Sequence, residues 1–213
     1  MASTASDHPF REIRGRFDES TIRVYQAYSP EIALPAVRAQ KFVPPFKRSR
    51  MTWIKPSFTW MMYRSGWAEK PGQERVLGID ITRKGFEWAL SHSCLSHFEA
   101  GVHGSHEDWE KQVQDSPVRI QWDPERDIRL QPLGWRAIQI GLGPIASNAY
   151  VDDWIVRIED VTELAKEIHR HVHAGDVKAA LALSPLEIPY PPLGPELDSR
   201  LGISLPAATD ETP

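Results

Sequence analysis

The chain has 213 residues and a mass of 24.2 kDa, with 41% apolar and 25% charged residues. This length and composition predict one globular domain with its own hydrophobic core, and they exclude a disordered or fibrous protein. The net charge of -4 conceals an asymmetry, because residues 1–70 hold 12 Lys and Arg against 6 Asp and Glu, whereas residues 71–213 hold 13 against 23. From Ile32 to Ala68 there are seven basic residues and no acidic one.

Several classes of protein are excluded by the sequence. No window approaches the 18 consecutive apolar residues of a membrane span, and the N-terminal residues lack the apolar core of a signal peptide. The single cysteine, Cys94, cannot form a disulfide within the chain. We therefore expect an intracellular, cytoplasmic protein with no membrane contact.

The first half of the chain alternates strand and helix signals. Residues 1–16 are predicted to form a flexible arm, because they are largely small and polar. β-branched and aromatic residues predict strands, and Ser or Pro at a helix start predicts helices. These signals predict strands over 21–29, 50–54 and 75–82, a helix over 57–65 and a loop over 41–49. They also predict a helix that begins at Pro30 and that Pro35 bends or shortens.

The second half continues in the same manner. The predicted elements are a helix over 105–113, strands over 118–122, 136–142 and 154–158, a charged loop over 123–132, a helix over 160–173 and a short helix ending before Pro185. Seven of the last 29 residues are proline, so residues 185–213 are expected to form an extended strap or tail. The strands and helices do not alternate strictly. The pattern therefore predicts a single α+β domain over residues 17–184, with a mainly antiparallel, twisted sheet, continuous or split, and flanking helices.

The strongest candidate site is the basic segment, which we define as residues 41–64. Its basic residues are Lys41, Lys47, Arg48, Arg50, Lys55 and Arg64, and aromatic residues lie between them. Guanidinium groups bind phosphate oxygens, a helix N-terminus at Ser57 adds N–H donors, and aromatic faces stack bases. This segment predicts a site for a phosphate-bearing small molecule or nucleotide, or for RNA or single-stranded nucleic acid. The alternative is a solvated basic surface that pairs with carboxylates of the same domain.

Aromatic and polar residues near this segment allow further interpretations. Trp53, Trp60 and Trp67 recur every seven residues, a spacing that favours core packing over a ligand platform. Gln26 and Tyr28 share one face of the first predicted strand. They can hydrogen-bond a ligand or decorate a hydrated sheet face, and the sequence does not discriminate between these roles.

Two loops carry residues that are capable of chemistry. The run from Gln121 to Asp127 has three carboxylates, Asp123, Glu125 and Asp127, which suit acid–base catalysis, although we favour an exposed turn. Residues 141–146 match G-x-G-x-x-A, but the further βαβ units of a dinucleotide fold do not follow.

Histidines form two groups in the sequence. Those between His92 and His106, together with Cys94 and Glu99, do not have the spacing of a zinc site, so we expect a polar connecting loop and no metal. The second group lies in the last turns of the predicted helix over 160–173. There the helix dipole favours cationic side chains, so these histidines need no catalytic role.

Several runs in the sequence resemble a known family. They are VYQAYS (Val24–Ser29), RMTWIKPSFTWMMYRSGWA (Arg50–Ala68), QWDPERD (Gln121–Asp127), RAIQIGL (Arg136–Leu142) and YVDDWIVRIEDVT (Tyr150–Thr162). The resemblance is to the bacterial and fungal family catalogued as domain of unknown function 4291, and it spans about residues 11–185. It supplies no activity.

The order of the elements is also similar, more distantly, to that of ADP-ribosyltransferase-like domains, which have a split antiparallel sheet. The resemblance implies NAD as the cofactor and transfer of ADP-ribose to an acceptor. It implies that Arg50, Lys55 and Arg64 bind the pyrophosphate next to the helix start at Ser57, that Tyr28 or Tyr63 stacks nicotinamide, and that Gln139 or Glu125 contacts the ribose. Gln26 then stands where those domains usually have His or Arg.

Overall fold

The computed structural model describes residues 9–203, and the elements below belong to that range. The strands are β1 (Arg14–Gly15), β2 (Thr21–Tyr28), β3 (Thr52–Ile54), β4 (Arg75–Thr82), β5 (Ser93–Leu95), β6 (Val118–Arg126), β7 (Pro132–Leu142), β8 (Ile155–Asp160) and β9 (Ile188–Pro189). The helices are α1 (Pro30–Ala39), α2 (Phe58–Ser65), α3 (Arg83–Ser91), α4 (His106–Asp115), α5 (Pro144–Ala149), α6 (Thr162–His173), α7 (Val177–Leu183) and α8 (Pro195–Arg200). A π-helical turn, Tyr150–Trp154, joins α5 to β8.

The strands form three sheets. One has the order β2-β4-β8, the second has the order β3-β7-β6-β5, and β1 pairs with β9. Every pairing is antiparallel except that of β5 with β6. A backbone bridge between Tyr25 in β2 and Lys55, just after β3, brings the two larger sheets together. The predicted α+β domain with mainly antiparallel sheets is confirmed.

Local sequence signals explain the elements next to this bridge. The Ser57 hydroxyl caps α2 by accepting a hydrogen bond from the Trp60 amide, and Gly66 ends the helix with a left-handed φ of 59°. Pro30 occupies the first turn of α1, where its missing N–H is not needed. These boundaries agree with the predicted helix starts, and they fix α2 against the end of β3.

The core has two parts. The larger one packs the inner faces of the two main sheets against α1, α3 and the π-helical turn, and Ile79 and Ile140 are among its fully buried residues. The smaller one packs α2 against α6 and includes Trp60 and Trp67. Burial of these two tryptophans confirms the prediction of core packing for them. Trp53 is only half-buried.

Several segments differ from the sequence-based prediction, including helix α8 (Pro195–Arg200), which lies in the strap that was expected to be extended. The charged loop predicted over 123–132 is wrong at its start, because β6 continues to Arg126. The polar loop predicted between His92 and His106 is wrong at β5, whose three residues are buried and pair with β6. Helix α3 was not predicted. Its signal was the Thr82 cap, which accepts a hydrogen bond from the Gly85 amide.

The two ends of the described range, near residues 9 and 203, pack against the domain. Residues 1–8 and 204–213 lie outside the described residues. In the predicted arm, Arg11 and Ile13 are buried, and β1 pairs with β9 from the Pro-rich strap. Among residues 9–203 no helix is long and apolar enough to cross a membrane.

Candidate functional site

A cleft of about 460 Å³ opens where β2, the segment before β3, and α2 meet. Its polar and charged walls are formed by Gln26, Tyr28, Lys47, Arg50, Thr52, Lys55, Arg64, Gln73 and Gln139. Pro45, Phe46, Met51, Trp53 and Trp60 add apolar surface. Within residues 9–203 no Asp or Glu lines the cleft. The cleft is therefore cationic and suits an anionic ligand with a flat apolar part.

Apart from Lys55, the cations of the basic segment divide into two groups. Lys41 and Arg48 both contact Asp152, each at 2.6 Å. The hydrogen bond from Arg48 is the main reason, and that from Lys41 the second, why the pKa of Asp152 is lowered to about 2. In contrast, Lys47, Arg50 and Arg64 are exposed and have no ion-pair partner within the described residues. All three line the cleft. Internal pairing therefore holds for part of the segment, whereas the ligand site stays a prediction for Lys47, Arg50 and Arg64.

Gln26 is at the back of the cleft and is only 2% exposed. Its amide nitrogen lies 2.9 Å from the Tyr28 hydroxyl, 2.8 Å from Thr52 Oγ1 and 3.0 Å from the Trp53 carbonyl oxygen. Its amide oxygen accepts a hydrogen bond of 2.8 Å from the Tyr150 hydroxyl. The amide is thus fully engaged, so Gln26 positions the Tyr28 and Thr52 hydroxyls.

Tyr28 and Gln139 present polar groups to the cleft from two sheets. Burial raises the pKa of Tyr28 to about 12, so its hydroxyl remains protonated at neutral pH. Gln139 lies opposite Gln121 in the β6–β7 ladder. Beside it, Gly141 faces the ring of Trp53, and an added Cβ there would lie 2.8 Å from that ring. Glycine at this position leaves room for the indole that forms part of the wall.

Lys55 is the charged residue at the base of the cleft. Its side chain is 1% exposed, and Nζ lies 2.7 Å from Asp123 Oδ2 and 3.1 Å from the centre of the Trp60 ring. Gln121 donates a hydrogen bond of 2.8 Å to the other oxygen of Asp123. Burial lowers the pKa of the Lys55 ammonium from 10.5 to about 7, although Asp123 opposes the shift. Burial therefore favours the uncharged amine of Lys55 more than it would be favoured in an exposed lysine.

Glu125 lies behind this pair, away from the lining of the cleft. The β6–β7 pairing shifts register between Pro124 and Arg126, and such a bulge turns the intervening side chain inward. The Ser57 hydroxyl and the Arg126 amide each donate a hydrogen bond of 2.8 Å to Glu125 Oε1. Burial raises the pKa of Glu125, and these donors oppose the rise.

The exposed turn favoured for the run from Gln121 to Asp127 is thus wrong for two of its carboxylates. Asp123 is bound by Lys55, and Glu125 is buried on Ser57. Only Asp127 makes a turn, in which it accepts hydrogen bonds from the Arg129 and Gln131 amides. The turn residues in the sequence gave no sign that a cation and a hydroxyl would compensate the buried carboxylates.

Glu187 was missed by sequence reasoning. Its carboxylate accepts a hydrogen bond of 2.7 Å from the Phe58 amide at the N-terminus of α2. Burial raises the pKa of Glu187 well above its usual range, and the charge of Glu125 adds to the rise. The nearby Tyr25 hydroxyl is buried without a hydrogen-bond partner in the described part of the chain. Glu187 comes from the Pro-rich strap, so no local motif connected it with this cluster.

The remaining candidates lie elsewhere. Tyr63 stacks against Arg126, whose Cζ is 3.7 Å from the ring centre, and does not line the cleft. The G-x-G-x-x-A run joins β7, which lies between two antiparallel neighbours, to a helix of six residues. Within residues 9–203, no three His, Cys, Asp or Glu side chains gather as metal ligands. Of the predicted site residues, Gln26, Tyr28, Arg50, Lys55, Arg64 and Gln139 come together in the cleft.

Two comparisons with known proteins bear on this chain. The sequence model of a family described as "Domain of unknown function" 4291 matches residues 12–190. That match includes every side chain described above as lining the cleft, together with Glu187. A search of curated proteins found no significant match.

Proposed function

The chain belongs to the family described as domain of unknown function 4291, and we propose that its cleft binds a nucleotide through the phosphates. The observation that carries this proposal is the meeting of three cations, Lys47, Arg50 and Arg64, in a cleft whose described lining has no carboxylate. None of the three has an ion-pair partner within residues 9–203. The guanidinium group of an arginine can donate two parallel hydrogen bonds to one phosphate. An exposed arginine without a protein partner is available to do so.

The more specific proposal is that the nucleotide is NAD and that the protein transfers its ADP-ribose. Arg50 and Arg64 hold the pyrophosphate, the Tyr28 ring lies against nicotinamide, and the Gln139 amide hydrogen-bonds the ribose. Support comes from the two sheets that meet at Tyr25 and Lys55 and from these side chains facing one cleft. In the reaction, the bond between the ribose carbon and nicotinamide breaks, nicotinamide leaves with the electron pair, and the acceptor attacks that carbon.

Isothermal titration with NAD, ATP and a short single-stranded RNA tests the binding. We expect NAD to bind, and we expect Arg50→Gln combined with Arg64→Gln to weaken its binding by about 3 kcal/mol, because each charged hydrogen bond contributes about 1.5 kcal/mol. Arg48→Gln is the matched control. It removes a cation from the same segment, but one that pairs with Asp152 outside the cleft lining.

The same titrations can also contradict the proposal. If RNA binds with a steep salt dependence and NAD gives no heat at millimolar concentration, the cleft is a nucleic-acid surface instead. If the Arg48→Gln variant loses as much NAD affinity as the double variant, attraction is a general effect of charge and not of the cleft. Release of nicotinamide from bound NAD, measured by chromatography, then separates an enzyme from a nucleotide-binding protein.

A further inference from the structure

Lys55 combines features that ligand binding alone does not require. Its side chain borders the cleft but is 1% exposed, and its Nζ is fixed between Asp123 and the Trp60 ring. A lysine that only attracts phosphate is usually exposed, as Lys47 is in the same cleft. Burial favours the uncharged amine, which is the nucleophilic form of lysine.

We propose that the Lys55 amine is a nucleophile that forms an imine with the aldehyde carbon of a phosphate-bearing ligand held in the cleft. Lys47, Arg50 and Arg64 bind the phosphate of this ligand and bring its aldehyde to the base of the cleft. ADP-ribose has such a carbon in its open-chain form, so the inference connects with the proposed function but does not depend on it.

The atoms of this step balance with the groups present. The Nζ lone pair attacks the carbonyl carbon and forms a C–N bond, while a proton leaves the nitrogen for Asp123, 2.7 Å away. Asp123 returns that proton to the carbonyl oxygen, which becomes the carbinolamine hydroxyl. Asp123 then takes the second proton from the nitrogen and gives it to this hydroxyl, the C–O bond breaks, and water leaves. The product is an imine, and its protonated form keeps Asp123 as the counter-ion. The hydrogen bond from Gln121 holds Asp123 in place.

Trp60 has a separate role in this arrangement. Its ring lies on one side of Nζ, so water cannot solvate the ammonium from that side. The ring face and the charges of Asp123 and Glu125 stabilise the ion, but burial outweighs them and lowers the pKa of Lys55. Because burial disfavours the charged form, this position favours loss of the proton. Trp60 is therefore a positioning residue, and it has no contact with the reacting carbon in this proposal.

Pyridoxal phosphate is a suitable probe because it carries both an aldehyde and a phosphate. The full-length protein is treated with pyridoxal phosphate at pH 7, reduced with borohydride and mapped by peptide mass spectrometry. We expect Lys55 to be labelled at least about tenfold faster than Lys47, because an ordinary lysine is almost wholly protonated at this pH. Inorganic pyrophosphate should slow the labelling of Lys55, and pyridoxal without phosphate should label it more slowly.

The mapping uses the wild-type chain, so failure of a variant to fold cannot affect the result. If Lys47 and other surface lysines are labelled while Lys55 stays unmodified, the proposal is wrong. Equal labelling of Lys55 by pyridoxal and pyridoxal phosphate overturns the role of the cleft cations. NAD binding without labelling of Lys55 overturns this inference and leaves the proposed function standing. Labelling of Lys55 without NAD binding supports this inference and overturns the proposed function.

Discussion

The two sides of the basic segment differ in how their charges are satisfied. On the cleft side, Lys47, Arg50 and Arg64 are exposed cations with no ion-pair partner within residues 9–203. On the inner side, Lys55 is buried with Asp123, and the carboxylates of Glu125 and Glu187 lie behind it on the first turn of α2. An exposed charge is solvated by water, whereas a buried one must find a partner or lose its charge. The inner side should therefore control stability, and the cleft side should control binding.

The largest expected effect on stability comes from Asp123→Asn. This change leaves the buried Lys55 without its counter-ion, and breaking such a pair costs about 3 kcal/mol. The loss should be greatest at pH 6, where Lys55 is protonated, and smaller at pH 9, where the amine is neutral. Urea unfolding at the two pH values measures it. The surface carboxylate Asp152 is the matched control, because it holds two partly exposed cations, and Asp152→Asn should leave the midpoint nearly unchanged.

The sign of this pH dependence follows from linkage. Burial lowers the pKa of Lys55 to about 7 from its ordinary 10.5, so the unfolded chain binds more protons between these values. The stability that Lys55 contributes is complete above pH 10.5 and is lost as the pH falls through 7. If Asp123→Asn lowers the stability equally at pH 6 and pH 9, the Lys55 amine keeps its proton over this range. A buried charge would then not be lost on the inner side, contrary to our expectation.

A smaller effect, of opposite pH dependence, is expected for Glu187→Gln. Burial raises the pKa of Glu187, so the stability contributed by its protonated form is complete below about pH 4.5 and is lost as the pH rises through the folded-state pKa. Glutamine keeps an oxygen that accepts the hydrogen bond from the Phe58 amide. At pH 8 the variant should melt roughly 2–4 °C above the wild type, which corresponds to about 1 kcal/mol in a chain of this size.

The control for this variant is acidic pH, where the wild-type carboxyl is also uncharged. At pH 4.5 the two proteins should melt at the same temperature. A variant that melts lower than the wild type at pH 8 would show that the Glu187 carboxylate is satisfied as an anion, for example by Arg14, and that the inner side tolerates an additional charge.

Local signals in the sequence were sufficient for most of the fold. Ser57 and Gly66 predicted the limits of α2, and the alternation over 75–82 predicted β4, because capping and side-chain period depend on neighbouring residues. The α+β class followed from the order of such elements. The cleft side of the site was also accessible, since a run of basic and aromatic residues without acidic ones is visible as composition.

The inner side was much less accessible to sequence reasoning. Asp123 and Glu125 occur in a sequence that is typical of turns, and their burial depends on Lys55 and Ser57, 68 residues away in each case. The bulge that turns Glu125 inward depends on the register of β6 against β7, which residue periodicity does not specify. Glu187 reaches α2 only because the strap pairs with β1. Long-range pairing of this kind leaves no local pattern.

The smallest expected effect on stability belongs to the cleft side. Arg50→Met and Arg64→Met should each change the melting temperature by no more than about 1–2 °C, because surface substitutions away from packed features change stability by about 0.5 kcal/mol or less. Arg23 provides the contrasting control. It is buried and donates two hydrogen bonds to Asp80, at 2.7 and 2.8 Å, so Arg23→Met should lower the melting temperature by many degrees. A comparable drop for Arg50→Met or Arg64→Met would mean that these arginines are partners within the fold, and it would remove the basis for assigning the cleft side to ligand binding.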